Sequence, residues 1–182
     1  MKITIIGTGY VGLVTGTCFA EMGNKVNCID IDQEKIDNLN KGNIPIYESG
    51  LEELILKNEK AGKLFFSISL EESMKQSTIL FIAVGTPENL NGKTNMKYVY
   101  NVARGIGKNL DRESIIVSKS TVPIGTTYKI QSIIKEELDK RAIDVEFHMV
   151  SNPEFLKEGE GIEDFMNPDR VIIGTDSKHA LD

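Results

Sequence analysis

Residues 3–12 read Ile-Thr-Ile-Ile-Gly-Thr-Gly-Tyr-Val-Gly, an apolar run that ends in three closely spaced glycines. Gly7, Gly9 and Gly12 form the pattern Gly-x-Gly-x-x-Gly between a predicted strand and a predicted helix. In this pattern the first glycine permits a tight turn, the second lets a phosphate approach the backbone, and the third lets the helix pack closely on the sheet. Backbone N–H groups at the helix start then face the phosphates. The stretch predicts a dinucleotide site whose positive potential comes from the backbone.

The same glycines have two other interpretations. The Walker phosphate loop requires Lys and Ser or Thr after its last glycine. Leu13 and Val14 stand at those positions, so the Walker loop is excluded. A strand–helix turn that binds no ligand stays open on these residues alone.

A carboxylate follows the second predicted strand. Asp30 lies about 20 residues after the glycines, where such a group accepts hydrogen bonds from the adenosine ribose. A 2′-phosphate there would meet a like charge, which costs roughly 4 kcal/mol at about 4 Å and an effective dielectric of about 20. Asp30 therefore favours NAD over NADP. Taken alone, Asp30 is also compatible with a helix N-cap or a solvated strand end.

The composition is that of an ordinary globular protein with an acidic surface. Its 182 residues are 40% hydrophobic and 26% charged, with a formal charge of −6. This charge and the lack of a basic run argue against nucleic acid and anionic membranes as partners. No apolar stretch is long enough to span a bilayer, and the first strand begins too early for a secretory signal. Cys18 and Cys28 lie in apolar surroundings, so we expect reduced thiols and a cytoplasmic location.

Predicted strands and helices alternate along the whole chain, with no repeat and no linker. Apolar β runs cover residues 3–6, 25–29, 64–68, 78–84, 114–118, 145–150 and 170–174. Helical periodicity covers 11–22, 33–39, a stretch from 51, one from about 71, 96–110 and 126–138, and residues 49–52 have the spacing of a capping box. This alternation predicts one α/β domain over residues 1–182. We expect a Rossmann-type doubly wound fold, with a mainly parallel sheet and helices on both faces.

Three further stretches place small, hydroxyl or carboxylate residues directly after predicted strands: 84–87, 118–123 and 151–158. The carboxyl ends of strands line the ligand crevice of an open α/β sheet, so all three are candidates for that crevice. Turn chemistry alone also explains residues 84–87, and a helix cap also explains Thr121.

The last of these stretches contains two carboxylates four residues apart. If it is helical, Glu154 and Glu158 lie on one face and could divide the roles of ionised carboxylate and base. Lys157 between them could instead neutralise a solvated face, and the residues alone favour that simpler interpretation.

Six motifs together resemble one family. They are Gly-Thr-Gly-Tyr-Val-Gly (7–12), Pro-Ile-Tyr-Glu-Ser-Gly-Leu (45–51), Val-Gly-Thr-Pro (84–87), Ser-Thr-Val-Pro (120–123), Asn-Pro-Glu-Phe-Leu-Lys-Glu-Gly (152–159) and Asn-Pro-Asp-Arg-Val (167–171). Their order and spacing resemble the N-terminal NAD-binding domain of the UDP-glucose 6-dehydrogenase family, within the wider nucleotide-sugar dehydrogenases, over essentially the whole chain. The motifs are more specific for the wider group than for the sugar.

The resemblance implies a reaction. A sugar C6 alcohol is oxidised to a carboxylate in two NAD-dependent steps, the second through a thioester on a cysteine. UDP-glucose or a related nucleotide sugar is the implied substrate, with GDP-mannose and UDP-N-acetylmannosamine as alternatives. A homodimer of the full-length enzyme is implied, and no metal. A non-catalytic NAD-binding module and a dehydrogenase of the hydroxyacid type stay open as rivals.

The resemblance also implies roles for residues of this chain. Cofactor binding is implied for Gly7, Thr8, Gly9, Tyr10, Val11, Gly12, Asp30, Lys35, Val84, Gly85, Thr86, Pro87, Ser120, Thr121 and Glu158. Substrate binding is implied for Glu154, Phe155, Leu156, Lys157 and Glu158. The implied catalytic residues are Thr121, which would help to hold a water, and Glu154, which would act as acid and base in thioester hydrolysis.

The family's nucleophilic cysteine lies in a later domain. Cys18 falls inside the first predicted helix and Cys28 inside the second predicted strand, so neither is expected to reach the crevice. We therefore expect the chain to be the cofactor half of a longer enzyme, able to bind NAD but inactive by itself. His148 and His179 carry no recognisable role.

Overall fold

The computed structural model describes residues 1–89 and 92–181. The predicted domain over residues 1–182 also includes Leu90, Asn91 and Asp182, which lie outside the described residues. The strands are β1 (Lys2–Ile6), β2 (Lys25–Ile29), β3 (Leu64–Ser67), β4 (Ile79–Ile82), β5 (Ser114–Ser118) and β6 (Phe147–Ser151). The helices are α1 (Tyr10–Glu21), α2 (Gln33–Leu39), α3 (Leu51–Lys60), α4 (Leu70–Gln76), α5 (Lys97–Asn109), α6 (Thr126–Lys140), α7 (Gly161–Met166) and α8 (Lys178–Leu181).

The six strands form one parallel sheet in the order β3-β2-β1-β4-β5-β6. β1 pairs with β2 on one side and with β4 on the other, so Ile3 lies beside Val26 and beside Ile79. The strand order reverses here, and sheets of this kind bind ligands beyond the carboxyl ends of the strands at the reversal. The predicted Rossmann-type doubly wound fold is confirmed.

Helices cover both faces of the sheet because successive strand residues point to opposite sides. Ile3 and Ile5 pack in a core that includes Leu13 of α1, whereas Ile6 packs in a second core that includes Ile106 of α5. All five side chains are at most 5% exposed. Each contributes roughly 1.5–3 kcal/mol through burial, so both cores hold the sheet edge at which the site forms.

Helix α5 forms although Gly105 and Gly107 lower its intrinsic propensity by about 1 kcal/mol each. A Cβ added to Gly107 would lie 2.7 Å from the Cβ of Glu137 on α6. The glycine therefore allows the two helices to pack closely, and this packing outweighs the propensity cost.

The predicted capping box at residues 49–52 is wrong. Gly50, with a φ of 78°, is the N-cap of α3, and no side-chain capping bond forms. The N–H of Leu51 donates to the carbonyl of Glu48 at 3.2 Å. This tight turn puts Ser49 one residue before the N-cap, where its hydroxyl does not cap the helix.

The predicted strand over residues 170–174 is also wrong. A single antiparallel bridge joins Gly174 to Ser151. The carbonyl of Ile172 accepts instead from the side-chain amide of Asn152 at 2.8 Å. The β-branched run signals strand propensity, but this competing bond and the exposure of residues 171–173 leave it outside the sheet.

Two short helices, α7 and α8, were not expected, because six and four residues are too few to show a helical period. Among residues 1–89 and 92–181, none of the helices combines the length and the apolarity needed to cross a bilayer.

Candidate dinucleotide and substrate site

The glycine loop (residues 7–12) joins β1 to α1 at the strand reversal. Gly7 has a φ of +109°, and a Cβ there would lie 2.7 Å from the carbonyl oxygen of Ala83. A Cβ at Gly12 would overlap the carbonyl oxygen of Gly7, so only glycine lets α1 approach the strand this closely. Gly9, the N-cap of α1, differs, because a Cβ there would meet nothing within 4 Å. The space in front of Gly9 is therefore open to a ligand.

Asp30 lies directly after β2 and is fixed by the glycine loop. Its Oδ2 accepts hydrogen bonds from the N–H and the hydroxyl of Thr8, both at 2.9 Å, and from Nζ of Lys35 at 3.2 Å. Oδ1 accepts a longer bond, at 3.3 Å, from the N–H of Asp32. One oxygen is therefore saturated by the protein, and the other keeps capacity for a ligand hydroxyl.

The charge state of Asp30 follows from these contacts. Burial raises the pKa of this carboxyl, but the two hydrogen bonds from Thr8 and the ammonium of Lys35 together hold the pKa below its ordinary value. Asp30 is thus negative at neutral pH. Thr8 is fully buried, so its side chain orients Asp30 rather than facing the crevice.

The loops after β4 and β5 are bonded to each other at the same edge. The Ser120 hydroxyl donates to the Val84 carbonyl at 2.7 Å, and the Thr86 hydroxyl donates to the Thr121 carbonyl at 2.9 Å. These bonds bring together residues that the sequence placed in separate stretches. Gly85 has open space where a Cβ would project, and Thr121 is exposed.

The segment after β6 does not meet the condition for a shared helix face. Residues 152–157 are not helical, so Glu154 and Glu158 do not share a helix face. The chain leaves β6 through Asn-Pro, which disfavours a helical residue before the proline. Oε2 of Glu154 accepts from the N–H of Leu156 at 2.6 Å, whereas Glu158 is exposed.

The neighbouring predicted substrate residues differ in their surroundings. Leu156 packs against the core that includes Leu13 of α1, while Phe155 is 52% exposed with the guanidinium of Arg170 5.4 Å above its ring. The Lys157 side chain is solvated and pairs with Glu160 at 2.8 Å. Only the backbone of Lys157 is tied to the rest of the site.

Lys119 was missed by the sequence analysis. It follows β5 directly and is 6% exposed, and its Nζ donates to Oδ1 of Asn152 at 3.1 Å. Burial lowers the pKa of this ammonium, and the charge of Glu154 partly opposes that shift. Lys119, Asn152, Glu154 and Phe155 line one cavity of about 590 Å³. The sequence signal that could have identified Lys119 is a charged residue immediately after a buried apolar strand.

Glu48 was also missed, although it lies inside a quoted motif. This carboxylate is 7% exposed and accepts from the Tyr10 hydroxyl at 2.6 Å and from the N–H of Gly159 at 2.9 Å. The Tyr10 hydroxyl also lies 3.0 Å from the carbonyl of Lys157. Burial, the hydrogen bond to Glu48 and the charge of Glu48 raise the pKa of Tyr10 well above its usual value. The glycine loop is therefore joined to residues 157–159 through Tyr10 and Glu48.

The two cysteines lie in the interior, as expected. Cys18 and Cys28 are both 0% exposed, and burial raises the pKa of each thiol to about 12. A thiolate is the nucleophilic form of cysteine, so neither side chain is a nucleophile at neutral pH.

Sheet order, glycine loop and acidic residue after β2 together define a dinucleotide-binding domain. The residues present fit NAD, because Gly9 leaves room at the helix N-terminus and Asp30 offers a charged acceptor that would repel a 2′-phosphate. The profile of the UDP-glucose/GDP-mannose dehydrogenase family, NAD binding domain, matches residues 1–182. The chain belongs to this family, and its cofactor is NAD, as the sequence predicts.

Relatives agree with this assignment. A UDP-glucose 6-dehydrogenase of Bacillus subtilis is 49% identical over 99% of the chain and 40% of the relative. A solved UDP-glucose dehydrogenase from Pyrobaculum islandicum gives a TM-score of 0.90 at 38% identity, covering 98% of this chain and 41% of that one. GDP-mannose dehydrogenase from Pseudomonas aeruginosa gives 0.91 at 34% identity, covering 100% and 42%. The chain spans about two-fifths of the length of these relatives.

Proposed function

We propose that this chain is the cofactor-binding half of an enzyme that oxidises the C6 alcohol of UDP-glucose to a carboxylate in two NAD-dependent steps. The observation that carries the proposal is the open space at Gly9, beside a loop whose Thr8 fixes Asp30. We favour UDP-glucose over GDP-mannose because a UDP-glucose 6-dehydrogenase is 49% identical to the chain. Of the two solved structures, the UDP-glucose enzyme is 38% identical and the GDP-mannose enzyme 34%.

We assign the cofactor contacts to the glycine loop, to Asp30 and to the loops after β4 and β5. The glycine loop binds the pyrophosphate through N–H groups at the start of α1, and Asp30 binds the adenosine ribose through Oδ1. The ammonium of Lys35 pairs with Oδ2 of Asp30 and neutralises part of its charge. Cofactor contacts beyond the loop come from Val84, Gly85, Thr86, Pro87, Ser120 and Thr121. The Ser120 hydroxyl is already bonded to Val84, so Ser120 acts through the shape of the loop.

We assign the chemistry to the carboxyl edge of β5 and β6. When bound, the nicotinamide of NAD would supply the hydride acceptor for each oxidation step. Thr121 holds a water near the substrate carbon, and its position is fixed by the bond from Thr86 to its carbonyl. Glu154 has Oε2 anchored by the Leu156 N–H, which leaves Oε1 to take up or give a proton. The buried ammonium of Lys119 supplies positive charge to the same cavity.

The remaining assignments follow the family. Phe155, Leu156 and Lys157 contact the sugar nucleotide, and Glu158 faces the nicotinamide end. The full-length enzyme is a cytoplasmic homodimer. The thioester cysteine comes from outside this chain, because both cysteines present are fully buried.

Cofactor binding is tested by calorimetric titration of NAD and NADP into the 182-residue chain. We expect one NAD per chain and at least tenfold weaker NADP. Gly9→Ala should weaken NAD at least tenfold, because the new methyl group occupies the phosphate position. Gly174→Ala is the control, since a Cβ there makes only an ordinary contact at 3.7 Å. Equal NAD affinity in both variants would refute the assignment of the glycine loop.

Substrate and chemistry are tested on the full-length enzyme. NADH formation should be fastest with UDP-glucose among UDP-glucose, GDP-mannose and UDP-N-acetylmannosamine. Glu154→Gln should lower kcat at least 100-fold, the usual contribution of a positioned acid or base. An unchanged rate would favour a dehydrogenase of the hydroxyacid type. The 182-residue chain by itself should produce no NADH.

A further inference from the structure

We propose that Glu113, His148 and His179 form a binding site for a divalent transition-metal ion such as Zn²⁺. The three residues, called here the His–Glu cluster, lie at the amino ends of β5 and β6, opposite the dinucleotide crevice. Glu113 precedes β5, His148 is the second residue of β6, and His179 lies on α8. The site is independent of the proposed function.

The distances within the His–Glu cluster match a metal coordination shell. Oε1 of Glu113 lies 3.1 Å from Nε2 of His148 and 3.4 Å from Nε2 of His179. Ligand atoms around a tetrahedral ion with bonds of about 2.1 Å are separated by about 3.4 Å. One ligand atom from each residue lies within 4.8 Å of the others, so a single ion can contact all three after small side-chain shifts.

The neighbours of the cluster orient its ligands. Nδ1 of His148 lies 2.9 Å from the hydroxyl of Ser177, which turns Nε2 toward Glu113. The same hydroxyl accepts from the N–H of Ala180 at 3.2 Å and so fixes the helix that carries His179. Metal-binding histidines usually have such a partner on the second ring nitrogen. For Nε2 of His148 to bind a metal, Nδ1 must carry the proton, and the Ser177 hydroxyl can accept a hydrogen bond from it.

The donor set selects the class of ion. Two imidazoles and one carboxylate suit zinc and similar transition metals, whereas Ca²⁺ and Mg²⁺ prefer oxygen ligands. The sequence contains two histidines, and both belong to the cluster although 31 positions separate 148 from 179. Cys18 and Cys28 are fully buried and do not compete for the ion.

The bound ion would have a structural role. His148 is 9% exposed within β6, while His179 is exposed on a four-residue helix that follows the bridge at Gly174. A shared ion would therefore fasten residues 175–181 to the edge strand of the sheet. A ligand that binds only the folded form stabilises it by mass action.

The test uses the 182-residue chain without a histidine tag, stripped of metal. Titration with Zn²⁺ by calorimetry should give one site per chain, and Co²⁺ should give the visible absorption of a tetrahedral complex. His179→Gln and Glu113→Gln should each weaken Zn²⁺ at least tenfold. Ser177→Ala should weaken it about tenfold without removing a ligand. Asp37→Asn, at an exposed carboxylate on α2 outside the cluster, should leave the affinity unchanged.

The outcomes separate clearly. Absence of a one-to-one Zn²⁺ site, or equal affinity in His179→Gln and the unsubstituted chain, overturns the proposal. His179 is exposed, so its substitution remains informative where a change at buried His148 prevents folding. NAD affinity should stay the same with and without Zn²⁺, because the crevice lies at the other end of the strands. A failed metal titration therefore leaves the dehydrogenase proposal intact.

Discussion

The glycine loop and the segment 152–162 are joined through Tyr10 and Glu48 but are held in different ways. The glycine loop is fixed by backbone contacts, since Gly7 and Gly12 pack directly on main-chain atoms. The segment 152–162 has little regular structure before α7 and is held by side chains from elsewhere, above all Glu48. The glycine loop is thus built into the fold, whereas the segment proposed to bind substrate depends on a few buried polar bonds.

The largest expected effect comes from breaking the backbone-fixed region. Gly12→Ala places a methyl group on the Gly7 carbonyl and should cost at least about 3 kcal/mol of unfolding free energy. Urea denaturation measures the loss. Gly9→Ala is the matched control and should cost less than about 1 kcal/mol, since its Cβ meets nothing within 4 Å. Similar losses at both positions would mean that close packing does not fix the loop.

The next effect concerns the polar region. Both carboxylate oxygens of Glu48 accept hydrogen bonds, among them those from the Tyr10 hydroxyl and the Gly159 N–H, whereas a glutamine amide has one accepting oxygen. Glu48→Gln therefore leaves a buried donor unpaired and should lower the free energy of unfolding by about 2 kcal/mol. Hydrogen exchange should be faster at the amide of Gly159 and at that of Ile162, whose N–H donates to Oε1 of Glu48 at 3.5 Å. Glu158→Gln, at an exposed position, should change neither quantity. Unchanged protection of both amides in Glu48→Gln would show that other contacts hold the segment.

A smaller, pH-dependent effect belongs to Asp30. Its pKa in the folded protein is below the unfolded value, so its stabilisation is complete above pH of about 4 and is lost as the pH falls through the folded pKa. Asp30→Asn should cost about 1.5 kcal/mol at neutral pH, and the difference should shrink toward pH 3. Urea denaturation at both pH values measures it. Asp37→Asn, at an exposed position on α2, is the control. A constant difference would contradict the assigned charge interaction.

The smallest effect is expected at the exposed side chain of Lys157. Lys157→Gln removes an ion pair with Glu160 whose side chains are 70% and 62% exposed. Exposed pairs contribute little, so the Tm should stay within about 1 °C. Calorimetric melting checks this. A clear drop would mean that the side chain of Lys157, and not only its backbone, holds the segment.

Predictions from the sequence were most accurate where the cause is local. The bounds of β2, β5 and α2 agree with the predicted ranges, because apolar runs and helical periods are written in adjacent residues. The predicted strand over residues 170–174 is wrong because the carbonyl of Ile172 accepts a hydrogen bond from the side chain of Asn152, which is distant in sequence. The predicted capping box is wrong because Gly50, in the αL conformation, is the N-cap of α3 in place of Ser49.

The sequence by itself determined the doubly wound sheet, the glycine loop and the acidic residue that together select NAD. These features depend on backbone freedom and hydrophobic period, which neighbouring residues specify. Only the tertiary structure decided that Glu48 joins Tyr10 to Gly159, that Lys119 is buried beside Asn152, and that His148 meets His179. Such pairings depend on which strands and loops become neighbours, and a polar side chain acquires its partner and its burial only when the sheet has formed.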